Sequence, residues 1–467
     1  MLAIKRSKGE EFDWITLVLY LLLVITGWLM IYAVEYDEES TFGILNLQTQ
    51  SGKQSIIIFA SLIALTAVYI IETKFWHTIA YPAYVFTLIL LVAVLFLGKD
   101  IKGTTSWFSL GGFSLQPSEF AKLGTALAMA AYLSYFKTDL KKTRYILLSF
   151  GLILVPAGLT LLQPDAGSAL VFFSFILVMY RAGFYPLFYL IALSFTILFI
   201  FSIVWGAGQL IMILLLGGIL VSVYNLTRKA VYLLAWVLLG SVNALAVLNG
   251  WLFPAVFIDI AILLSLLFLL FKSRKEQVLV LVSLIMIVSS IFAYSSQFAF
   301  DNLLAKHQQD RINVWLRPEL CDPYGSLYNV LQSKMAIGSG GVAGKGFLNG
   351  TLTKLNYVPE QSTDFIFCTV GEEHGFFGVA GLVILFLLLF FRMINKAEKM
   401  RTQFARNFTY GVVGVLFVHF FINIAMTMGL LPIIGIPLPF ISAGGSSLLG
   451  FSMMIGIFLR MSGSRNA

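Results

Sequence analysis

Apolar runs dominate the chain and leave few ways to fold it. They fall near 14–34, 54–71, 77–97, 118–136, 145–162, 166–180, 184–204, 207–225, 231–248, 254–271, 277–299, 364–391, 406–430 and 442–460. A run of about 20 apolar residues crosses a hydrocarbon layer about 30 Å thick as a helix. Hydrocarbon admits only helices or closed barrels, because each backbone N–H and C=O must find its partner without water. The expected fold is all-α: a polytopic transmembrane helical bundle of about 14 helices, with twelve as the count if a pair merges. Charged residues are 12% of the chain, against roughly 25% in a soluble domain, which excludes an ordinary cytosolic enzyme.

Lys and Arg collect in cytoplasmic loops, and this sets the orientation. With the basic N-terminus inside, Lys74, Lys137, Lys141, Lys142, Arg144, Arg181, Arg228, Lys229, Lys272, Arg274, Lys275, Arg392, Lys396, Lys399, Arg401, Arg406 and Arg460 all fall on the cytoplasmic side. Glu35, Asp37, Glu38, Glu39 and the long segment 301–362 fall on the other. The net charge of +8 then calls for no nucleic-acid partner. The charged start from Met1 to Asp13 precedes a run too long for a signal peptide and without a small-residue cleavage site, so the first helix is expected to stay as an anchor with both termini cytoplasmic. Cys321 and Cys368 form no disulfide framework, and His77, His307, His374 and His419 are too scattered to suggest a metal centre.

Segment 301–362 has no spanning run, yet its Gly, Asn, Gln and Tyr argue against disorder, and loops beyond about 15 residues tend to be functional. Val330 to Ile337 is expected as a short helix against the membrane surface. Gly338 to Gly346 is a backbone-dominated turn whose amides either surround an anion or simply let a surface loop turn tightly. It is one residue short of a P-loop and does not lie between a strand and a helix, which argues against a nucleotide site.

Ionisable groups in or near hydrocarbon are costly and mark candidate sites. Glu119 and Lys122 open the fourth helix behind Pro117 and share a face, so they either staple helices as a neutral pair or form a polar cavity wall. Asp165, between Gln163-Pro164 and Gly167-Ser168, is expected to cap the next helix. Asp364 stands where the long loop dives into an apolar helix. Ser362 or Thr363 is expected to cap that helix, with Asp364 in its first turn, either as a plain helix-start charge or as a base. Pro432, Pro437 and Pro439 make the apolar stretch 429–447 a re-entrant or interfacial element lining a site.

Five motifs in one order carry a resemblance: Gln116-Pro-Ser-Glu-Phe-Ala-Lys122, Gln163-Pro-Asp-Ala-Gly-Ser168, Asp322 to Gly341, Pro359 to Gly375, and Gly435-Ile-Pro-Leu-Pro-Phe-Ile-Ser-Ala-Gly-Gly-Ser-Ser447. Together they resemble the SEDS family (shape, elongation, division and sporulation), and Gln332 to Gly341 is more similar to its rod-shape elongation branch than to its division branch. The resemblance implies a ten-helix core with four helices inserted after 204. The parts are then 14–204 and 363–462 for the core, 205–300 for the insert, and 301–362 for a long extracytoplasmic catalytic loop. It also departs from the family, which usually has Arg where this chain has Ser106.

The implied activity is that of a peptidoglycan glycosyltransferase polymerising lipid II at the outer face of the cytoplasmic membrane and releasing undecaprenyl diphosphate. The implied partners are lipid II, the lipid-linked glycan, a class B penicillin-binding protein and other membrane proteins of the elongation complex. Asp364 matches the family's essential aspartate. Glu119, Lys122 and Asp165 match supporting positions; Arg311, Lys334 and Lys345 are candidates for the diphosphate, and Glu360 is the next carboxylate on the same approach. The residues settle no cofactor, and a divalent cation such as Mg2+ is compatible with a diphosphate leaving group. The rival reading is a flippase or transporter of polyprenyl-linked precursors, with the charged groups as its path; a noncatalytic scaffold would leave Asp364 without a purpose.

Overall fold

The structure, a computed structural model, describes residues 12–36, 48–101, 104–110, 113–227, 230–325, 327–355 and 357–463. Asp37, Glu38, Glu39, Arg228 and Lys229, used above for orientation, lie outside the described residues. The helices are α1 Trp14–Glu35, α2 Gln50–Ile70, α3 Thr73–Leu97, α4 Pro117–Ser134, α5 Thr143–Leu161, α6 Ala166–Phe172, α7 Phe175–Arg181, α8 Pro186–Trp205, α9 Ala207–Thr227, α10 Ala230–Leu248, α11 Leu252–Lys272, α12 Glu276–Asn302, α13 Lys306–Leu316, α14 Tyr328–Ser339, α15 Thr351–Lys354, α16 Ile366–Ala397, α17 Gln403–Thr427 and α18 Gly445–Gly463. Eleven are long and apolar enough to cross a membrane. Helix α4, the pair α6–α7 and α10 occupy the other three expected runs. The chain is a multi-pass membrane protein, and outward Phe59, Phe86 and Phe96 suit hydrocarbon rather than water.

The chain divides into two compact units, Met1–Tyr185 with Asp322–Ala467, and Pro186–Cys321. The second holds α8 and α13 as well as the four runs between 207 and 299. Its one buried carboxylate among the described residues, Asp259 of α11, accepts from Asn243 of α10 at 2.7 Å.

In the first unit α4 is the inner helix. Pro117 takes its first position behind Gln116, as expected. Its Ala121, Gly124, Ala126, Ala128 and Ala130 are buried, and such small residues let neighbouring backbones come close. A Cβ on Gly124 would stand 2.5 Å from the Thr87 hydroxyl of α3, and one on Gly450 of α18 would stand 3.3 Å from the Glu119 carbonyl. At the edge of the unit, burial raises the pKa of Asp13, but bonds from Arg392 and Thr16 and the charges of Arg392 and Lys396 prevail and hold its carboxyl below the usual range.

Three departures from the expected bundle have local causes. The α3–α4 connection is a small antiparallel sheet, β1 Lys99–Ile101, β2 Thr104–Leu110 and β3 Phe113–Leu115, with Phe108 opposite Leu115. Its Thr-Thr-Ser-Trp-Phe-Ser-Leu run has the β-branched and aromatic content of a strand. The expected helix 166–180 breaks into α6 and α7, where the Phe173 and Ser174 amides bond three residues back instead of four. Third, α16 is broken at Gly375, whose φ of 59° and ψ of −157° no helix contains.

The break in α16 explains the glycines of 338–346. The Lys345 and Gly346 amides donate to the carbonyls of Glu372 and Glu373, and Phe376 and Phe377 donate back to Gly341 and Val342. The Lys345 and Gly346 amides of this segment are therefore committed to the broken helix. A Cβ on Gly340 would stand 2.0 Å from the Gly371 carbonyl, and one on Gly344 would stand 2.1 Å from that of Glu373. Gly344→Ala should cost about 1–3 kcal/mol or more, since it also sits at positive φ. Gly338→Ala, in α14 with open space around it, should be neutral or gain up to about 1 kcal/mol. Thermal unfolding of both variants in detergent checks the contrast, and equal melting temperatures would refute the close backbone packing.

Candidate active site

Helix α17 ends at Thr427, and Gly429 and Gly435, both at positive φ, carry the chain through an extended, proline-rich loop to α18. Prolines cannot supply the donors that a helix would use here, so side chains of α17 do it. The Asn423 amide donates to the Ile436 carbonyl at 2.7 Å, and His419 Nδ1 lies 3.1 Å from the Pro437 carbonyl. The Ser442 hydroxyl accepts from the Leu438 amide at 2.8 Å. The expected re-entrant element is thus a loop fastened to α17 from within.

The same loop grips the approach to α16. The Ala443 amide donates to the Ser362 carbonyl at 2.9 Å, the Ser442 hydroxyl to that of Thr363 at 2.6 Å, and the Asn423 amide to that of Asp364 at 2.8 Å. Three consecutive carbonyls are therefore held. This placement corrects the expected cap. Helix α16 begins at Ile366 behind Phe365, which makes no side-chain cap, and Asp364 precedes the helix rather than joining its first turn. Neither Ser362 nor Thr363 caps the helix: the Thr363 hydroxyl bonds Glu360 Oε2 at 3.0 Å, and Glu360 itself is exposed at a φ of 57°. Asp364 is half-buried, and its Oδ2 is 3.3 Å from where a Cβ on Gly435 would stand. Phe365, Ile366, Phe367 and Cys368 pack beneath it.

On α4 the expected pair is formed, with Lys122 Nζ 2.8 Å from Glu119 Oε1 and both side chains buried. Lys122 has a second partner that the sequence reading missed, His419 Nε2 at 2.9 Å. The spacing of the four histidines does not single out His419; its signal is an ionisable group inside an apolar run, one helical turn before Asn423. Glu119, Lys122, His419 and the Pro437 carbonyl form one continuous chain into the loop that touches Asp364.

The remaining candidates take distinct places. Asp165 caps α6 as expected, accepting from the Ser168 amide at 2.9 Å and from the Gln116 side chain at 2.8 Å. The Gln116 amide donates in turn to the Ser446 hydroxyl at 2.9 Å, so the starts of α4, α6 and α18 are joined. Lys345 is paired with the buried Glu372 at 2.6 Å, and Glu372 also receives the Leu352 and Thr353 amides at the start of α15. Lys334 is exposed on α14, its Nζ 3.5 Å from where a Cβ on Gly429 would stand. Arg311 is exposed on α13 in the second unit. Ser106 is buried on β2 and bonds Thr104 at 3.2 Å. Cys321 and Cys368 are not joined to each other by a disulfide.

The sequence model of the family described as Cell cycle protein, covering FtsW, RodA and SpoVE, matches residues 13–237 and 210–467. The chain belongs to this family. It is 29% identical over 463 residues to the peptidoglycan glycosyltransferase RodA of Treponema pallidum, covering 98% of each chain. It is 31% identical over 380 residues to the peptidoglycan glycosyltransferase MrdB of Escherichia coli K12, covering 80% of this chain and 76% of that one. Among solved structures it is similar to a chain of a peptidoglycan synthase complex that coordinates polymerization and crosslinking, with a TM-score of 0.62, 23% identity and 97% of both chains covered. The resemblance read from the five motifs is borne out at the level of the family.

The buried pair on α4 is testable as a structural contact. Lys122→Met leaves Glu119 as an uncompensated buried carboxylate and should cost about 3–5 kcal/mol. Adding Glu119→Gln should restore part of that loss, because a neutral amide needs no counter-charge. Thermal unfolding and membrane accumulation of the single and double variants measure this, and a double variant less stable than Lys122→Met would contradict it.

Proposed function

We propose that the chain is a peptidoglycan glycosyltransferase that polymerises lipid II into glycan strands during cell elongation, with Asp364 as its general base. The observation that carries the reading is the clamped turn at Asp364: the carbonyls of Ser362, Thr363 and Asp364 are each held by a donor, so the half-buried carboxylate is fixed where the loop meets a packed helix start. The two relatives named above support it by their activity.

In this reading the 4-hydroxyl of the acceptor GlcNAc gives its proton to Asp364 and attacks the anomeric carbon of the donor MurNAc. The C–O bond to undecaprenyl diphosphate breaks, and the configuration inverts without a covalent intermediate, so no second carboxylate is needed. The developing charge on the diphosphate requires a cation. Lys334 is the better placed candidate, being exposed beside the loop at Gly429. Lys345 is committed to Glu372 and is assigned to holding α15. Arg311 belongs to the second unit and is assigned no role. Among the described residues no group of three or more His, Cys, Asp or Glu is arranged to hold a metal, so no step is assigned to Mg2+. Glu119, Lys122 and Asp165 are assigned to keeping the cavity in shape.

The cytoplasmic membrane is the proposed location, with both termini cytoplasmic and the site on the extracytoplasmic face. A class B penicillin-binding protein that crosslinks the product is the proposed partner, along with other elongation-complex membrane proteins. Helices α9 to α12 are proposed as an insertion relative to the family core; the two stretches matched by the family's sequence model overlap between 210 and 237, within α9 and α10.

Asp364→Asn keeps the size of the side chain and removes the base, so polymerisation of labelled lipid II by the full chain with its transpeptidase should fall by about 100-fold or more. Retained lipid II binding with lost turnover assigns the residue to chemistry. Near-normal glycan synthesis would overturn the assignment, and translocation of precursor without polymer would favour the flippase reading.

Orientation has its own check. Single cysteines at the exposed Leu355, two residues past Thr353, and at Gly250 in a cysteine-free background should be labelled from outside intact cells, and those at Ser273 and Gln403 should not. External labelling at Ser273 with protection at Leu355 would reverse the orientation.

A further inference from the structure

We propose that His419 and Asn423, one turn apart on α17, are positioning residues of the transfer reaction: together they couple the Glu119–Lys122 pair to the loop against which Asp364 stands. This deepens the glycosyltransferase reading and rests on it. Four contacts carry the inference. Lys122 Nζ lies 2.9 Å from His419 Nε2, and His419 Nδ1 lies 3.1 Å from the Pro437 carbonyl. The Asn423 amide reaches the Ile436 carbonyl at 2.7 Å and the Asp364 carbonyl at 2.8 Å.

The chemistry of the partners leaves one assignment for each side chain. A carbonyl only accepts, so His419 Nδ1 carries the proton; an ammonium only donates, so Nε2 presents its lone pair. The ring is a neutral bridge with a direction, from Lys122 to Pro437. Asn423, set between two carbonyls, must turn its amide nitrogen to both. The ring is also fixed in space by Phe451, whose centroid lies 5.0 Å away in an edge-on contact.

These contacts end where position matters. They fall on Ile436 and Pro437, which follow Gly435, where an added Cβ would stand 3.3 Å from Asp364 Oδ2, and on the backbone carbonyl of Asp364 itself. A bulky apolar residue at 419 would fill the space but let the loop drift. A base displaced by about 1 Å from its substrate hydroxyl loses on the order of 100-fold in rate. The carboxylate would still be present, and substrate binding through the rest of the groove would persist.

His419→Phe keeps the ring and its packing but removes both bonds. In the full chain with its transpeptidase, kcat for lipid II polymerisation should fall about 10- to 100-fold while KM changes by less than about threefold. His419→Gln can donate to Pro437 and accept from Lys122, and should recover most of that loss. His419→Phe placed on Lys122→Met should add little, because both interrupt the same chain. Wild-type turnover in H419F, an effect confined to KM, or H419Q no better than H419F would overturn the proposal. Should H419F fail to accumulate, nitrogen-15 spectra of histidine-labelled wild-type protein decide it: a neutral ring protonated at Nδ1 supports the bridge, and protonation at Nε2 overturns it. Absence of glycan from the wild-type chain with its transpeptidase would overturn the functional reading itself, whereas an active wild type with an equally active H419F overturns only the positioning role.

Discussion

Backbone groups shut away from water must find their hydrogen-bond partners inside the protein, and the extended loop between α17 and α18 has to do so without a helix of its own. Its prolines lack N–H groups and its carbonyls cannot be satisfied by a helix. His419 and Asn423 donate to the loop's carbonyls, and the Ser442 hydroxyl accepts from the Leu438 amide. Asn423, Ser442 and the Ala443 amide go on to hold Asp364, Thr363 and Ser362. Satisfying the loop and fixing the aspartate are therefore one arrangement. A change that loosens the first is expected to loosen the second.

Buried charge is organised around the same loop. Lys122 is fully buried, and a lone ammonium there would be prohibitively costly, yet with Glu119 on one side and His419 on the other it is solvated by the protein. One carboxylate oxygen of Glu119 still has no hydrogen-bond partner among the described residues. Such a pair adds little to stability compared with well-packed apolar groups. Glu372 solves the same problem differently. It binds Lys345 and two amides of α15, tying the short helices of the long segment to the broken α16.

Close backbone approach is the third element. Gly340, Gly344 and Gly375 bring the turn at 338–346 within hydrogen-bonding distance of the break in α16, a packing that any side chain would push apart. Glycine-rich loops near a carboxylate invite an anion-binding interpretation. Here the Lys345 and Gly346 amides are already paired with α16, and the glycines serve contact between backbones.

Much of the architecture was legible in the residues. Length and hydropathy alone dictate spanning helices, because hydrocarbon thickness and backbone pairing leave no other choice. Local chemistry gave the start of α4 at Pro117, the cap at Asp165, the Glu119–Lys122 contact three residues apart, and the failure of 429–447 to continue as a helix. Other features depend on groups far apart in sequence. The cap of α16 falls on Phe365 because Ser442 and Ala443 claim the carbonyls just before it. The α16 break needs the glycine turn thirty residues upstream to pair with it. His419 gains its role only when α4 places an ammonium against one nitrogen and the loop places a carbonyl against the other. Sequence by itself determines which segments must leave water and which residues can cap or pair nearby. Only the tertiary structure decides which distant donor meets which acceptor, because a hydrogen bond is won by whichever partner the packed helices bring within about 3 Å.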